Sequence, residues 1–468
     1  MLLLLLSQYR RESVKMLAEI LTSKPEFPVN SYIRFPDRRE KLLLIENKVS
    51  QLLALSDLLP VRVALATYAA NYLDQVPLWM MMVAPPSSGK TEILGSMYHL
   101  PDTEVVSDLT KSSLLSGTSQ KDKVKGATGG LLHKFGEFGF MIIKDMTTLL
   151  SKNQDAAAEV FGAFREIYDG DFIRYFGNDG GTHKEWHGRL GVLAAVTSEI
   201  EKHRSAFSAM GDRFLTIRVY NNDDLRMIQA QTALKASGKE QRVRAEMQEL
   251  AEQLFQGFEQ NTNLQMECLD YIHDYIAPLA AFVAACRTPV DRSSYSRDIQ
   301  FIHSTEGYAR LAKQLYGLFC GCITIGCSLS EAWQTVLRVA LDTIPEQRSQ
   351  LLEAILLHEK TAEKGCSTLN ELRGMSRLPK RTNERLVIDL YSVKVLDCSF
   401  GSGSSPSAFW LSDRTRENID SFTLSPEEPV CVPENRDDPI LTNSNVDYRG
   451  HKSIETECVN GEGEENAA

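Results

Sequence analysis

The sequence contains no long apolar run and few cysteines. Its longest apolar stretches, Leu78–Ala84 and about residues 315–327, are shorter than the roughly 20 residues that a membrane-spanning helix needs. The apolar start, Met1–Leu6, is too short for the core of a signal peptide, and no basic residue precedes it. Nine cysteines in 468 residues form no regular framework, which is typical of a reducing compartment. We therefore expect a cytoplasmic protein that does not contact a membrane.

An excess of positive charge is also absent. Lysine and arginine number 51 against 62 acidic residues, so the formal net charge is −11. This balance excludes a generally basic nucleic-acid coat but leaves room for a local DNA-binding surface. Much of the acidity lies at the end of the chain, where residues 426–468 hold eleven acidic and three basic residues. Because segment 414–468 is polar, acidic and poor in aromatic residues, we predict a disordered acidic tail there.

The order of the apolar patterns predicts an α/β fold. Helical spacing of apolar residues is found in residues 8–75, and apolar strands then alternate with helical stretches up to residue 222. The predicted strands are Leu78–Ala84, Glu104–Ser107, Phe140–Lys144, Gly191–Thr197 and Phe214–Val219. Continuous apolar strands between helices indicate a parallel sheet that is covered on both faces. We predict an N-terminal helical segment at 1–49, a sheet domain at 50–222, a helical domain at 223–345 and a C-terminal module at 346–413.

A phosphate-binding pattern follows the first predicted strand. Its residues match G-x-x-x-x-G-K-[ST] except for alanine at the first position: Ala84, Pro85, Pro86, Ser87, Ser88, Gly89, Lys90 and Thr91. In such a loop, backbone N–H groups and the N-terminus of the next helix surround the phosphates. Lys90 would reach the β- and γ-phosphates, and the Thr91 hydroxyl would bind Mg²⁺. The strand–loop–helix context therefore predicts ATP and Mg²⁺ as cofactors.

A second Mg²⁺ ligand is expected at the end of a neighbouring strand. Asp145 follows the third predicted strand and is the candidate, with capping of the next helix as the alternative. Many ATPases of this type carry a glutamate after the aspartate to polarise the attacking water, but this chain has Met146. If Asp145 occupies the glutamate position instead, Lys144 stands at the metal position. One expected carboxylate is missing in either case, and three residues elsewhere could supply it: Asp108, Glu166 and Asp171.

These motifs and the residues that follow resemble the AAA+ ATPases over residues 50–345. The resemblance implies that Thr197, at the end of the strand GVLAAVT, is a polar sensor near the γ-phosphate. Segment Met210–Leu215 resembles the family's G-[DE]-R-F-L motif, which would make Arg213 an arginine finger for the ATP of an adjacent subunit. Arg310 is the candidate second sensor in the helical lid. The alternatives are a salt bridge with a local acid for Arg213 and a surface arginine at a helix edge for Arg310.

Extra sequence before Thr197 predicts a β-hairpin. Two alternating stretches flank residues 177–181, whose composition is typical of a hairpin turn. A hairpin at this position resembles the AAA+ clade that includes the replicative MCM helicases and phage-type helicases, where it projects into the central channel. The resemblance implies that Arg174, His183 and Lys184 contact DNA. A solvated polar hairpin is the alternative.

Residues 366–413 resemble a winged helix-turn-helix. Thr368 and Glu371 form a capping-box pattern for a first helix, and Pro379 suits the start of a second. In such modules the second helix enters the major groove by its N-terminal residues. The candidates for DNA contact are Lys380, Arg381, Thr382 and Asn383. Six basic and five acidic residues make the segment nearly neutral, so packing or the docking of a partner is the alternative.

The combined motifs predict a ring-like homo-oligomeric AAA+ ATPase that acts on DNA. It would be a helicase, translocase or helicase-loading factor of the type carried by phages and mobile elements. The alternative is an ATP-dependent assembly switch that remodels or signals to a protein partner. The finger-like segment favours the first hypothesis, while the low basicity and the missing carboxylate favour the second. Both share one fold class, which is α/β: a P-loop AAA+ parallel-sheet core with a helical lid, followed by a winged helix-turn-helix domain.

Overall fold

Five buried apolar strands form a parallel sheet in the computed structural model. The structure describes residues 33–55, 57–116, 130–152, 154–176, 182–203, 213–220, 223–260, 272–293, 295–361, 365–401 and 407–423. The sheet strands are β1 (Trp79–Val83), β2 (Thr103–Val106), β3 (Phe138–Ile143), β6 (Arg189–Val196) and β7 (Phe214–Arg218). Each begins and ends within two residues of a predicted strand. The predicted α/β fold with a parallel sheet is therefore confirmed.

The chain enters this sheet at an interior position. The spatial order is β2-β3-β6-β1-β7, and every neighbouring pair is parallel. From β1 the chain crosses to the β2 edge, returns through β3 and β6 to lie beside β1, and then passes over β1 to β7. Because parallel strands end at the same edge, the segments that follow β1, β3 and β6 converge at one carboxyl edge of the sheet.

Helices cover both faces of the sheet. Those before and between the strands are α1 (Pro36–Leu53), α2 (Leu59–Tyr72), α3 (Lys90–Gly95), α4 (Lys111–Leu114), α5 (Leu131–Phe135), α6 (Thr147–Leu150) and α7 (Gln154–Tyr168). Those that follow β7 are α8 (Asp223–Ala236), α9 (Glu240–Leu254), α10 (His273–Arg287), α11 (Ala309–Thr324) and α12 (Leu329–Thr343). Alternate strand residues supply two apolar cores. On β1, Met80 and Met82 enter the larger core with α2 and the helices after β7, whereas Trp79 and Met81 enter the smaller core with α7.

Helices from the two ends of the sequence pack directly against each other in the larger core. Helices α2 and α11 cross at close range, since a Cβ on Gly321 would lie 2.3 Å from the Ala66 carbonyl oxygen and 3.1 Å from the Ala70 Cβ. On α2, buried Asn71 fixes the start of β1 because its side chain bonds both the N–H and the carbonyl of Leu78, each at 3.0 Å. The segment before the sheet and the helical region after it therefore share one core.

The predicted hairpin before β6 is confirmed as an antiparallel pair. Strands β4 (Asp171–Phe176) and β5 (Thr182–His187) pair with Asp171 opposite His187 and Arg174 opposite Lys184. Buried Phe172 and Trp186 anchor the hairpin to the smaller core. The predicted turn, residues 177–181, lies outside the described residues.

The C-terminal module joins two short helices to a three-stranded antiparallel sheet. After α13 (Glu346–Thr361), its elements are β10 (Ser367–Thr368), α14 (Leu369–Ser376), α15 (Lys380–Ser392), β11 (Leu396–Ser399) and β12 (Ala408–Leu411). The strand order is β10-β12-β11. The predicted capping box at the start of α14 is present, with the Thr368 and Glu371 side chains bonded to each other's backbone N–H groups.

A second hairpin lies within the helical region, where the sequence predicts only helices. It consists of β8 (Val290–Arg292) and β9 (Ile299–Ile302) between α10 and α11. Arg292 attaches the hairpin to α15. Its Nη2 lies 2.5 Å from Oδ1 of the buried residue Asp389 and also donates to the Arg385 carbonyl at 3.4 Å.

Residues 413–423 correct the predicted tail. They form helix α16 (Asp413–Thr423), whose first turn is capped because the Ser412 Oγ accepts a hydrogen bond from the Thr415 N–H at 3.3 Å. Ile419 and Phe422 are buried, and the Phe422 ring lies 5.8 Å from the ring of Phe282 on α10. Burial of these two apolar residues, which lie on one side of the helix, is thus enough to order a segment whose overall composition is polar. The prediction of disorder is wrong for residues 414–423, and the rest of the predicted tail lies outside the described residues.

The described part of the chain contains no helix with both the length and the apolar character to cross a membrane. Of the predicted N-terminal helical segment, residues 1–32 lie outside the described ranges, and α1 includes most of the remainder.

Candidate functional site

The segments predicted to bind nucleotide meet at the carboxyl edge of the sheet. Val83, the last residue of β1, lies opposite Val196, the last residue of β6. On β3, Ile143 lies opposite Ala194, so Asp145, two residues later, is level with Val196. The loop that follows β1, the carboxylate that follows β3 and the threonine that follows β6 therefore share one edge.

The loop at residues 84–91 exposes backbone donors. Ser87 and Gly89 have φ angles of 59° and 86°, in the left-handed region. Among the described residues, the N–H groups of Ser87, Ser88 and Gly89 have no hydrogen-bond acceptor. Glycine suits this left-handed backbone, and a Cβ on Gly89 would lie 2.5 Å from Cδ1 at the flexible end of the Leu53 side chain. Thr91 is exposed in the first turn of α3.

Lys90 folds back across this loop. Its Nζ donates to the carbonyl oxygens of Ala84 at 2.7 Å and Pro85 at 2.8 Å, and Pro86 is exposed beside them. Burial lowers the pKa of Lys90, and the negative charge of Asp145 partly offsets this effect. Ala84 is buried and its φ is not positive, which explains why alanine can replace the glycine of the sequence pattern.

A threonine that the sequence analysis did not identify connects the other two segments. Asp145 is exposed, and its Oδ1 accepts a hydrogen bond from the Thr147 N–H at 2.9 Å, so the helix-capping alternative is present in this structure. The Thr147 Oγ1 accepts from the Thr197 N–H at 3.2 Å and lies 3.3 Å from the Thr197 Oγ1. The capping position was visible in the sequence, but the contact with Thr197 depends on the register of β3 against β6.

An ion pair beside the loop was also missed. Glu92, in the first turn of α3, accepts two hydrogen bonds from Arg244 of α9, at 2.7 Å and 2.6 Å. Gln248 of the same helix donates to the carbonyl of Gly95, at the end of α3, at 3.0 Å. The helical region thus holds the helix that begins at Lys90. No sequence pattern pairs residues 152 positions apart, so this contact required the structure.

Buried charges connect β7 to α12 at the same edge. Arg218, the last residue of β7, pairs with Glu201 at 2.7 Å, and its N–H donates to Asp342 Oδ2 at 2.8 Å. Burial lowers the pKa of Arg218, but the carboxylate of Glu201 and other acidic neighbours outweigh it and raise the pKa above its ordinary value. Burial raises the pKa of Asp342, and the charges of Arg338 and Arg218 oppose that effect.

None of the three alternative carboxylates lies next to the loop. Asp108 follows β2, which lies three strand spacings, or about 14 Å, from β1 in the sheet. Its carboxylate pairs with Lys152 at 2.6 Å. Glu166 lines a cavity of about 430 Å³ beside β4. Asp171 lies at the base of the hairpin, where its Oδ1 is 2.6 Å from Nδ1 of His187.

Arg213 and Arg310 lie at the opposite edge of the sheet. Arg213 precedes Phe214, which pairs with Trp79 at the start of β1, so it is about 17–20 Å from the 84–91 loop. The guanidinium carbons of Arg213 and Arg310 lie 5.4 Å and 6.0 Å from the centre of the Tyr168 ring. In this arrangement neither side chain reaches the loop of its own chain.

The alternative predicted for Arg213, a salt bridge with a local acid, is present. Its Nη2 lies 2.8 Å from Oδ2 of Asp169, and its side chain is 5% exposed. Burial lowers the pKa of Arg213; Asp169 opposes this effect and Arg310 adds to it. Burial raises the pKa of the Tyr168 hydroxyl to about 12, against the influence of both arginines.

The hairpin cations point to protein carbonyls in this structure. Arg174 donates to the carbonyls of Lys111 at 2.9 Å and Leu115 at 2.6 Å, and Lys184 donates to the carbonyl of Ser116. The Arg174 guanidinium and the Lys184 ammonium also lie 4.9 Å and 5.6 Å from the centre of the Phe176 ring. His183 is exposed, and its ring lies 5.2 Å from the ring of Tyr175.

The four candidates at the start of α15 differ in accessibility. Lys380 and Arg381 are exposed, and Thr382 is half-buried. Asn383 is 1% exposed; its Oδ1 accepts from the Ser376 Oγ at 2.8 Å, and its Nδ2 donates to the Leu378 carbonyl at 3.0 Å. The prediction that Asn383 contacts DNA is therefore corrected: this side chain holds the turn between α14 and α15.

Comparison with known proteins adds only distant structural likeness. No protein-family model and no curated protein matches the chain. The C-terminal region of NrS-1, in an apo form, is similar at a TM-score of 0.28 and 11% sequence identity, over 79% of this chain and 76% of that one. A likeness at this level carries no argument about fold or activity.

Proposed function

We propose that the chain is an ATPase that binds ATP and Mg²⁺ at the carboxyl edge of its sheet and acts on DNA as a ring-like homo-oligomer. Its role would be that of a helicase, translocase or helicase-loading factor of phage or mobile-element type. The observation that carries the proposal is a convergence at one edge of the sheet. Lys90, Asp145 and Thr197 meet there with loop N–H groups that have no acceptor among the described residues.

The residues at this edge fit a magnesium nucleotide. The free N–H groups at residues 87–89 and the start of α3 suit a phosphate chain, and Lys90 would exchange its carbonyl partners for phosphate oxygens. The exposed Thr91 hydroxyl and the Asp145 Oδ2 are oxygen ligands of the kind that Mg²⁺ prefers. When bound, MgATP would supply the phosphoryl group that is transferred, and the Mg²⁺ ion would offset the negative charge of the phosphates. Thr147 holds Thr197 in place to hydrogen-bond near the terminal phosphate.

The distance between the two edges of the sheet supports oligomerisation if Arg213 acts on a nucleotide. An arginine about 17–20 Å from its own loop can stabilise transferred phosphoryl charge only at the site of another subunit. We assign that role to Arg213, with Arg310 beside it, and the Asp169 contact must open when Arg213 takes it. On this hypothesis, residues 50–222 are an AAA+ core, the helices after β7 form its lid, and the C-terminal module is a winged helix that contacts DNA together with the β4–β5 hairpin.

The decisive experiment mixes two inactive variants. Lys90→Ala removes the phosphate partner but keeps Arg213, whereas Arg213→Ala keeps the loop but lacks the finger. Arg213→Ala alone should hydrolyse ATP about 10³–10⁵ times more slowly than the parent if the finger contributes as in related phosphoryl-transfer enzymes. Lys90→Ala alone should be inactive because it loses a phosphate partner and with it tight ATP binding. Mixed rings should recover part of the activity, because Arg213 of a Lys90→Ala subunit can serve a neighbour's intact site.

The matched control is Arg242→Ala, which removes an arginine that is 73% exposed and whose one ion pair among the described residues is with Glu246 on its own helix. It should retain parental activity. A fully active Arg213→Ala protein, or mixtures no more active than their components, would refute the shared site.

The second candidate function is an ATP-dependent assembly switch that acts on a protein partner. It is favoured by the absence of a carboxylate next to Asp145 and by the distance of Asp108, Glu166 and Asp171 from the loop. ATPase rates with single-stranded and duplex DNA at low and moderate salt separate the two candidates. Salt-dependent stimulation supports action on DNA, and its absence supports the switch.

A further inference from the structure

One face of α15 is exposed along the whole helix. We call it the α15 face and include Phe400, the residue directly after β11, which continues it. Its residues are Lys380, Arg381, Arg385, Ile388, Tyr391 and Phe400. Arg381, Arg385 and Ile388 follow one another at spacings of four and three residues, so they lie above one another on the helix. The face is basic near the start of α15 and apolar near its end.

The apolar end of the face carries two accessible rings. Tyr391 is 39% exposed and Phe400 is 69% exposed. Their ring centres lie 5.8 Å apart with the planes at 88°, an edge-to-face pair in which each ring keeps a face that the other does not cover. Ile388 extends the patch and is 45% exposed. Exposed apolar side chains that lie together, next to charged ones, mark a binding surface.

The basic end is more positive than the composition of the module suggests. All six basic residues of segment 366–413 are exposed, whereas the acidic residue Asp389 is buried and pairs with Arg292 of the β8–β9 hairpin. On the face itself, Lys380 lies 3.8 Å from Glu384, and Arg385 donates to Gln347 at 3.0 Å across an exposed contact. Such exposed contacts are weak and exchange readily for phosphate.

The same face offers a duplex fewer base-reading groups than the sequence suggests. Arginine, asparagine and glutamine side chains distinguish base edges in the major groove by hydrogen bonds, and on this face only the basic members of that set are exposed. The only amide at the start of α15, Asn383, is buried in the turn. Unstacked bases, in contrast, need flat apolar rings and a nearby row of cations, because every base has a π-face and every linkage a negative charge.

We propose that the α15 face binds single-stranded DNA, with the phosphates on Lys380, Arg381 and Arg385 and with bases stacked on Tyr391 and Phe400. This inference rests on the proposed action on DNA and specifies the strand state that the C-terminal module recognises. We expect binding to depend little on base sequence, because every base offers a π-face for stacking and the cations are assigned to phosphates.

The test measures binding of the full chain to a labelled thymidine oligonucleotide and to a duplex of equal length by fluorescence anisotropy. Tyr391→Ala and Phe400→Ala should each weaken single-strand affinity about 5- to 150-fold, which corresponds to about 1–3 kcal/mol for one stacked base. Tyr391→Phe should stay within about twofold of the parent, while Tyr391→Leu should lose affinity like Tyr391→Ala, since leucine is apolar but has no ring. Neutralising Lys380 and Arg381 together should reduce the salt slope by about 1.4.

The matched control is Tyr295→Ala on the β8–β9 hairpin, where the ring is 98% exposed but lies outside the α15 face. It should bind as the parent does. If Tyr391→Leu binds as tightly as the parent, the patch is an apolar docking surface for a protein and the inference is overturned. Tighter binding to the duplex than to the single strand, lost in the alanine variants, also overturns it.

Two further results separate this inference from the function on which it rests. If the parent binds neither oligonucleotide, the proposed action on DNA fails and the inference falls with it. If the parent binds the single strand but Tyr391→Ala and Phe400→Ala bind equally well, only the inference is wrong, and the β4–β5 hairpin becomes the remaining contact.

Discussion

Replacement of Asn383 distinguishes a structural role from a DNA-reading role in the C-terminal module. The side chain is buried between α14 and α15 and makes two hydrogen bonds, one to Ser376 and one to the Leu378 carbonyl. Asn383→Ala removes both. The Ser376 hydroxyl loses an acceptor and the Leu378 carbonyl loses a donor, and each is buried in the turn.

The magnitude follows from these two bonds. A typical intramolecular hydrogen bond contributes about 0.5–1.5 kcal/mol net, and a buried group left without a partner costs about 1–3 kcal/mol. We therefore expect Asn383→Ala to destabilise the module by about 2–3 kcal/mol, as two bonds are lost in one cavity. Thr382→Ala is the matched control, because its half-buried side chain has no hydrogen-bond partner among the described residues; its effect should be within about 0.5 kcal/mol.

Amide hydrogen exchange is the appropriate assay, because it reports the stability of α14 and α15 inside the full chain. A loss of 2–3 kcal/mol corresponds to about 30- to 150-fold faster exchange of the protected amides in these two helices. The same variant should keep its ATP affinity. Unchanged exchange together with lost duplex binding would refute the reasoning and return Asn383 to the list of DNA contacts.

Three further predictions concern the loop, the core and a buried acid. Gly89→Ala should abolish ATP binding in an equilibrium titration, since the new Cβ meets Leu53 at 2.5 Å in a left-handed backbone; binding within about twofold of the parent would contradict the loop geometry. Gly321→Ala should lower the thermal midpoint through a loss of about 1–3 kcal/mol, because its Cβ would meet the Ala66 carbonyl at 2.3 Å, and an unchanged midpoint would contradict the close crossing of α2 and α11. Burial raises the pKa of Glu353 to about 7. Between about pH 4.5 and 7 the folded state therefore keeps a proton that the unfolded state has lost. The free energy of unfolding should fall over this range, by about 2–3 kcal/mol as the pH rises. Glu353→Gln should flatten that fall in denaturant titrations at several pH values, and an unaltered pH profile would show that Glu353 is not its cause.

The sheet could be predicted because its strands are continuous apolar runs. β1 and β6 are buried on both faces, so nothing in their sequence competes with the strand pattern. The β8–β9 hairpin gives no such signal, since Val290–Arg292 is short and partly polar and Ile299–Ile302 is mostly exposed. Its position depends on the ion pair between Arg292 and Asp389, which are far apart in the sequence.

The candidate site was predictable only where it follows from strand ends. Lys90, Asp145 and Thr197 were located correctly at one edge because a parallel sheet brings the ends of its strands together, although their chemistry stays a prediction. Thr147 was missed because its contact with Thr197 is made between strands, and sequence spacing does not determine the register of β3 against β6.

Arg310 illustrates why order along the chain is a poor guide to distance in this fold. It opens a helix after β7, and the resemblance to AAA+ proteins suggested a sensor without saying whose nucleotide it would sense. Arg310 lies close to the Tyr168 ring, and Tyr168 packs on Trp79 at the start of β1. Arg310 therefore lies at the amino edge of the sheet, beside Arg213. If the proposed function is correct, the two cations that share this ring would serve one interface between subunits. A nucleotide role for either arginine therefore requires a neighbouring subunit, and a chain that hydrolyses ATP as a monomer would leave both with a structural role alone.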